Sequence, residues 1–335
     1  MSEPTPVSIL IVGGGPAGYT AALYAARGGF APVLLEGFDS GGQLSRSFLV
    51  ENFPGVPDGT SGSDLAARMR EQAVSFGATV LMDDLETIDL SERPFRATTT
   101  TGQSFVAEAV IIATGSAPRS LGLPGEDELV GKGLAYCAIC DGAFFAGMDV
   151  TVIGGGNTAL GEALAMARVA ARVTLVHRRN EFRADHILEQ AVRALPGVEV
   201  LTPYLAADFV TTDDGDLAAV KLRNLDTGEL LYHPTAGLFV AIGHDPAIAL
   251  FEPFLTIEKG HILTAPTTTA TSVEGVFAAG DVADPRYRQA VTAASSGCQA
   301  ALDTERWLNS GGFAGPDRTS SEDAKSGERL SLPSH

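Results

Sequence analysis

The sequence predicts an α/β protein built on two copies of one nucleotide-binding unit, and three observations predict it. An apolar run, a glycine-rich turn, a helix-compatible stretch and a second apolar run ending on a polar residue occur twice at one fixed offset. The 335 residues, with 38 glycines among them, exceed what one small domain holds and imply many tight turns and close backbone approaches. Apolar residues make up 45% and charged residues 19%, enough apolar surface to bury a core over most of the chain.

The first copy opens with the run Val7–Val12, a buried strand. It continues through Gly13-Gly14-Gly15-Pro16-Ala17-Gly18 into a helix to Arg27 and a second strand, Val33–Leu35, with Glu36 at its tip. The second copy has the strand Val150–Ile153, the turn Gly154-Gly155-Gly156-Asn157-Thr158-Ala159, a helix to about Ala170, and the strand Val173–Val176 tipped by His177. A lone G-x-G-x-x-G recurs by chance. Placed between strand and helix, with a polar residue eighteen positions beyond its last small residue, it reads as a dinucleotide-binding fingerprint. The first glycine permits the turn, the second lets a pyrophosphate approach the backbone, and the third, here Gly18 or its variant Ala159, lets helix pack on strand. The phosphates then meet the free N–H groups of the helix start.

The two strand tips predict two different ligands. Glu36 offers a carboxylate that accepts from a ribose 2′-hydroxyl and repels a 2′-phosphate. At the equivalent tip stand His177, Arg178 and Arg179, with Arg183 about one helical turn on. Guanidinium forks match phosphate oxygens, so this cluster favours a 2′-phosphate over solvated basic surface in so acidic a chain.

Elsewhere the pattern predicts a helix over Asp64–Phe76 and a buried strand Val110–Ala113 running into Thr114-Gly115. It also predicts a strand Leu238–Ile242 ending at Gly243, a strand Val276–Ala279 meeting Gly280-Asp281, and a helix Ala290–Leu308. Residues 315–335 lack periodicity and read as a flexible tail. The net charge of −18 disfavours nucleic acid and anionic membrane surfaces as partners. No apolar run reaches the 18 or so residues of a spanning helix, and Met1–Pro6 lacks the basic start of a secretory signal, so the expected place is the cytoplasm.

Three cysteines, Cys137, Cys140 and Cys298, are no disulfide framework of a secreted domain. Cys137-Ala138-Ile139-Cys140, followed by Asp141, can close a small disulfide or present an activated thiolate. Half a zinc site and an inert pair are the bland alternatives; zinc would need a second ligand pair that the sequence lacks, so no metal is expected. Cys298 sits in an apolar helix and reads as a core residue.

From about Val7 to Leu308 the chain resembles the bacterial-type, low-molecular-weight thioredoxin reductases of the pyridine nucleotide-disulfide oxidoreductases. Beyond the motifs above, the resemblance rests on Gly41-Gly42-Gln43-Leu44, Glu51-Asn52-Phe53-Pro54-Gly55, Ala113-Thr114-Gly115, Gly237–His244, and Gly280-Asp281-Val282 followed by Tyr287–Ala290. It departs at Ile139, where the family usually has Thr or Val, and at Gly161, where Glu is common. The resemblance implies two Rossmann-like, three-layer ββα domains, one inserted into the other. Residues 1–117 and 248–314 would form a discontinuous FAD-binding domain, and 118–247 an NADPH-binding domain carrying the redox pair.

FAD would meet Gly13, Gly15, Pro16, Ala17 and Glu36 in the first unit, then Gly42, Gln43, Leu44 and Asn52. Ala113, Thr114 and Gly115 would join it, with Gly280 and Asp281 at the ribityl and pyrophosphate and Arg288, Gln289 and Ala290 near the isoalloxazine. NADPH would meet Gly154, Gly156, Asn157 and Thr158, the basic cluster, and Ile242 and Gly243. Cys140 corresponds to the flavin-proximal sulfur, Cys137 to the interchange sulfur and Asp141 to the acid–base residue beside them. The implied activity carries hydride from NADPH to FAD, then to the Cys137–Cys140 disulfide, then to thioredoxin or a thioredoxin-like protein, in a homodimer. The redox pair and the second glycine turn belong to one domain, so dithiol and nicotinamide are expected to take turns at the flavin. The alternatives are a flavin-dependent dithiol oxidase, which needs no basic cluster, another NADPH-dependent flavoprotein such as a ferredoxin–NADP reductase, which needs no dithiol, and a nucleotide-sensing protein without turnover.

Overall fold

The computed structural model describes residues 3–38, 40–47 and 49–312, so the expected tail at 315–335 lies outside the described residues. The first unit runs β1 (Thr5–Val12), α1 (Pro16–Arg27), β2 (Val33–Leu35), α2 (Gly62–Ser75), β3 (Thr79–Leu81), β4 (Leu85–Asp89), β5 (Phe95–Thr99) and β6 (Ser104–Ile112). A short strand β7 (Ser116–Pro118) leads out. The second unit contains α3 (Glu126–Leu129), β8 (Leu134–Ala135), α4 (Ala138–Asp141), β9 (Asp149–Ile153), α5 (Asn157–Met166), β10 (Arg172–Val176), α6 (His186–Arg193) and β11 (Val198–Leu201). It continues through β12 (Tyr204–Thr211), β13 (Leu217–Asn224), β14 (Leu230–Pro234) and β15 (Gly237–Val240). The chain returns along β16 (His244–Pro246), makes the ribbon β17 (Ile257–Glu258) and β18 (His261–Ile262), and ends in β19 (Val276–Ala278) and α7 (Ala290–Trp307).

The larger sheet has the order β3-β2-β1-β6-β5-β4, with β19 added parallel to the upper half of β6. A strand from late in the chain thus completes a sheet begun at residue 5, and the second unit is inserted between. Its central strands are apolar on both faces, as a covered parallel sheet requires. Ile9 and Ile11 face α1, α2 and α7, while Leu10 and Val12 face Phe251, Leu255 and the β4–β5 edge. The inserted sheet has the order β11-β10-β9-β15-β8, all parallel. Helices α5 and α6 cover one face and the antiparallel β12-β13-β14 sheet covers the other, giving three layers.

Helix α1 is rich in small residues because it is squeezed between sheet and α7. Ala293, Gly297, Ala300, Ala301 and Thr304 form the buried stripe of α7, and a Cβ on Gly297 would collide with the backbone of Ala17. Ser61 accepts the N–H of Asp64 at 3.0 Å and so caps α2. The second fingerprint helix stops at Met166, short of the Ala170 that periodicity predicts. The following turn is drawn off to pair with 147–148: Gly147 donates to the carbonyl of Val169 and Ala171 to that of Met148. The outbound β7 and returning β16 pair antiparallel, so the two chain crossings lie side by side. No helix among the described residues is long and apolar enough to cross a membrane.

Gly297→Ala should therefore destabilise the protein by about 1–3 kcal/mol through overpacking. Gly161→Ala, where a Cβ on α5 meets nothing within 4 Å, should stabilise it by roughly 0.5–1 kcal/mol. Urea unfolding of the two variants reads both signs.

Candidate functional site

Two cavities lie at the carboxyl ends of the parallel strands of the two larger sheets, where strand order and glycine turns leave open crevices. The first, of 630 Å³, is walled by the turn Gly13–Ala17 at the start of α1, the tip of β2 and the 3₁₀ turn Gly42–Arg46. The 113–117 crossover, the 280–281 turn and the start of α7 close it. The structure brings to this wall each of the residues expected to meet FAD, from Gly13 and Glu36 to Asn52, Asp281 and Ala290. Cys140 of the inserted unit joins them.

Whether the cavity suits a dinucleotide is decided at its glycines. Gly13 has φ +113° and a Cβ there would enter the backbone of Ala113, so the fold itself demands glycine. Gly15 is different: its backbone is extended (φ −91°, ψ −175°) and a Cβ would meet no protein atom within 4 Å. The protein leaves that space empty on the cavity side, a cradle for a group pressed against the main chain. Gly156 at the second turn repeats this, extended and unobstructed, whereas Gly154 (φ +155°) faces the carbonyl of Ala241 as Gly13 faces that of Ala113. Both sites therefore fit a pyrophosphate lying on a helix start.

Glu36 is buried, and its carboxylate is held by the Arg70 guanidinium (Nε at 3.0 and 3.1 Å) and the Tyr19 hydroxyl (2.8 Å). Burial and this hydrogen bond push the Tyr19 hydroxyl above its usual range. Arg70 on α2 is 34 positions from Glu36, so no local spacing announced it. Asp281 is pushed up to about 6 by burial, with Asp284 adding to the shift, and accepts from Ser116 at 3.4 Å. The Gly280 amide donates to Ser296 on α7 at 2.8 Å, which fixes the turn.

The second cavity, of 430 Å³, is lined by Gly154, Gly156, Thr158, His177, Arg178, Arg183, Ile242 and Gly243, joined by Arg119 and Tyr204, which motif reading missed. Asn157 and Arg179 are not on its wall. Asn157 instead exchanges two 2.8 Å hydrogen bonds with Asp185, which anchors the arginine-bearing loop to α5. His177 is buried beneath Gly155 and stacked on Phe182. Burial, aided by Arg183, Arg178 and Arg179, pushes its pKa down, so the ring is neutral and the positive charge resides in the exposed arginines.

Cys137 and Cys140 form a disulfide across α4, with Cα atoms 5.3 Å apart. Both are half-buried, and Ile139 between them is 69% exposed. Cys140 faces the first cavity and Cys137 does not. The next residue, Asp141, is pushed up to about 6 by burial, so near neutral pH it can hold or release a proton. Arg288 ties the units together. Its guanidinium donates to His244 Nδ1 at 2.6 Å and to Thr158 Oγ1 at 3.4 Å, while Asp284 holds its own backbone N–H. Burial, then Arg288, push His244 down to about 4, which keeps Nδ1 an acceptor. Cys298 is not in a disulfide and is half-buried on α7.

A fold of two dinucleotide units, with a redox disulfide from one at the cavity of the other, defines a flavin- and nicotinamide-linked disulfide oxidoreductase. The chain belongs to the pyridine nucleotide-disulphide oxidoreductase family, whose model matches residues 7–297. It is 46% identical over 303 residues to thioredoxin reductase of Streptomyces coelicolor, covering 90% of this chain and 94% of that protein. It is 47% identical to the bifunctional thioredoxin reductase/thioredoxin of Mycobacterium leprae, of which it spans only 65%. The solved thioredoxin reductase of Giardia duodenalis superposes with a TM-score of 0.85 at 37% identity, covering 91% of this chain and 99% of that one.

If the cradles are the binding sites, Gly15→Ala and Gly156→Ala should leave ligand-free stability within about 0.5 kcal/mol. Each should weaken one dinucleotide at least tenfold and spare the other. Titrations with FAD and with NADP⁺, set beside urea curves, separate cradle filling from misfolding.

Proposed function

We propose that the chain is an NADPH-dependent, FAD-containing thioredoxin-disulfide reductase, with FAD in the 630 Å³ cavity and NADPH in the 430 Å³ one. The observation that carries this reading is Cys140 on the wall of the first cavity while Cys137, beside exposed Ile139, lies outside it. One sulfur is placed to receive electrons and the other to pass them on. FAD and NADPH, when bound, supply the hydride and electron chemistry that no side chain can.

The chain's own residues do the rest. Gly15 and Gly156 admit the pyrophosphates, and Glu36, fixed by Arg70 and Tyr19, retains acceptor capacity for a ribose hydroxyl. Arg178 and Arg183 present guanidinium groups to a 2′-phosphate. As the disulfide opens, departing Cys137 takes the proton that Asp141 holds; the Asp141 carboxylate then takes it back, and the Cys137 thiolate attacks the disulfide of a thioredoxin-like protein. The reading carries with it the homodimer and the cytoplasmic setting that the resemblance implies. It also places the redox pair and the nicotinamide site on one inserted domain, 118–247, which must turn for each to reach the flavin.

The test is NADPH oxidation dependent on oxidised thioredoxin, lost in Cys137→Ser. Arg178→Ala and Arg183→Ala should each lower kcat/KM for NADPH roughly ten- to a hundredfold and barely affect NADH. Arg179→Ala, off the cavity wall, should cost less. Equal losses with both cofactors would show that the cluster supports the fold instead. Disulfide opening needs the acid form of Asp141, so its rate should fall as pH rises through about 6. Asp141→Asn should remove that limb and slow turnover about 10²-fold or more in rapid-mixing measurements.

A further inference from the structure

Glu162, on α5, is a buried acid that lines neither cavity. The backbone N–H of Ala138, in the peptide that joins Ala138 to Cys137, favours its ionised form, helices α4 and α5 pack together, and Oε2 is buried without a hydrogen-bond partner. An ionised carboxylate oxygen in that position is costly, and a protonated one far less so. The charged groups acting on it are Arg288, ahead of α7, and Asp141 of α4. Helix α6 and strands β9 and β10, which also pack against α5, contribute no charge to it. Burial pushes the carboxyl up to about 7; Ala138 and Arg288 pull it down and Asp141 pushes it further up.

We propose that Glu162 is a redox-linked proton store for the Cys137–Cys140 pair, taking up one proton when the disulfide is reduced and releasing it when the disulfide re-forms. The inference rests on the reading above that this pair cycles. Two electrons from the reduced cofactors break the S–S bond. One sulfur takes a proton and becomes a thiol, the other remains a thiolate, and a second proton converts the Glu162 carboxylate to the acid. Reoxidation passes both electrons and both protons to the substrate disulfide. The coupling is electrostatic, because a new thiolate one peptide away raises the proton affinity of a buried carboxylate in a low dielectric. Glu162 acts on the Ala138 peptide of the redox helix and not on a sulfur, so it is a positioning residue and Asp141 remains the group that meets the sulfur.

The FAD-loaded enzyme is poised in dithiothreitol redox buffers from about pH 5.5 to 8.5, and dithiol and disulfide are counted by alkylation and mass spectrometry. Below its titration Glu162 is as neutral as glutamine, so Glu162→Gln and wild type should agree at the acid end. Towards the alkaline end the variant should favour the dithiol increasingly, by roughly tenfold. Reduced-minus-oxidised infrared spectra of the wild type near pH 7.5 should gain a protonated-carboxyl band, which Asp141→Asn keeps and Glu162→Gln loses. A variant-to-wild-type ratio that does not change with pH, or a wild-type spectrum without the new band, overturns the proposal. The infrared arm decides alone if Glu162→Gln fails to fold. Neither measurement contains thioredoxin, so a failure to reduce thioredoxin would sink the substrate reading and leave this test standing.

Discussion

The architecture depends on main chain meeting main chain at distances no side chain would permit. At the end of β1 the turn brings Gly13 onto the backbone of Ala113, the residue after β6, and the end of β9 brings Gly154 onto Ala241, the residue after β15. This one constraint fixes where each central strand stops, how sharply the chain turns and where each helix starts. The free N–H groups of α1 and α5 then point into a crevice rather than into protein. The third small residue closes the arrangement differently in the two copies. A Cβ on Gly18 would strike the carbonyl of Gly13, whereas the Cβ of Ala159 occupies the space that a Cβ on Gly154 would need. Glycine at the second turn is thus the complement of alanine at its helix, and the two positions are coupled.

With the geometry common to both units, the difference between them lies at the strand tips. Glu36 is a buried anion whose charge is held in place by Arg70 and shielded from solvent. His177, its counterpart, is a buried neutral ring that serves as the floor beneath Gly155, and the charge has moved to the exposed Arg178 and Arg183. A negative tip accepts from a hydroxyl and a positive rim attracts a phosphate, so the two copies of one scaffold differ in sign at the same position.

What the sequence disclosed was what short spacing can carry. The repeat placed both glycine turns and both tips, and continuous apolar runs located β1, β9, β10 and β19 within a residue or two. The antiparallel β4–β5 and β12–β14 strands escaped because solvent-facing polar residues interrupt their apolar ones, as in Leu85–Asp89, where Ile88 alone is buried, or because an apolar run stays exposed, as at Leu230, Leu231 and Tyr232. The end of α5 was misplaced because alanines continue the helical pattern past Met166 while tertiary hydrogen bonds end it. Within the site, Arg70, Arg119 and Glu162 gave no signal, and His244, though it ends the Gly237–His244 run, was assigned no role, for each acts across a fold contact that no local motif encodes. Asn157 shows the converse: a motif position whose side chain serves a loop.

Among the described residues, Arg288 makes side-chain hydrogen bonds that join the two units. Beside the paired crossings β7 and β16, where Arg119 and Asp245 form an exposed ion pair at 2.6 Å, Arg288 reaches His244 and Thr158 from a backbone position with φ +49°. Solvent screens an ion pair this exposed, so the Arg119 pair guides the crossing more than it holds it. The bond to His244 exists only while that ring is neutral. Its pKa near 4 ensures this at physiological pH, and only acid well below would set two cations against each other. An arrangement tied by hydrogen bonds, with no buried apolar cluster shared between the two units among the described residues, costs little to open. That is the property the proposed cycle requires, in which the disulfide and the second cavity both serve the first cavity, since a rigid apolar seam would commit the protein to one of them.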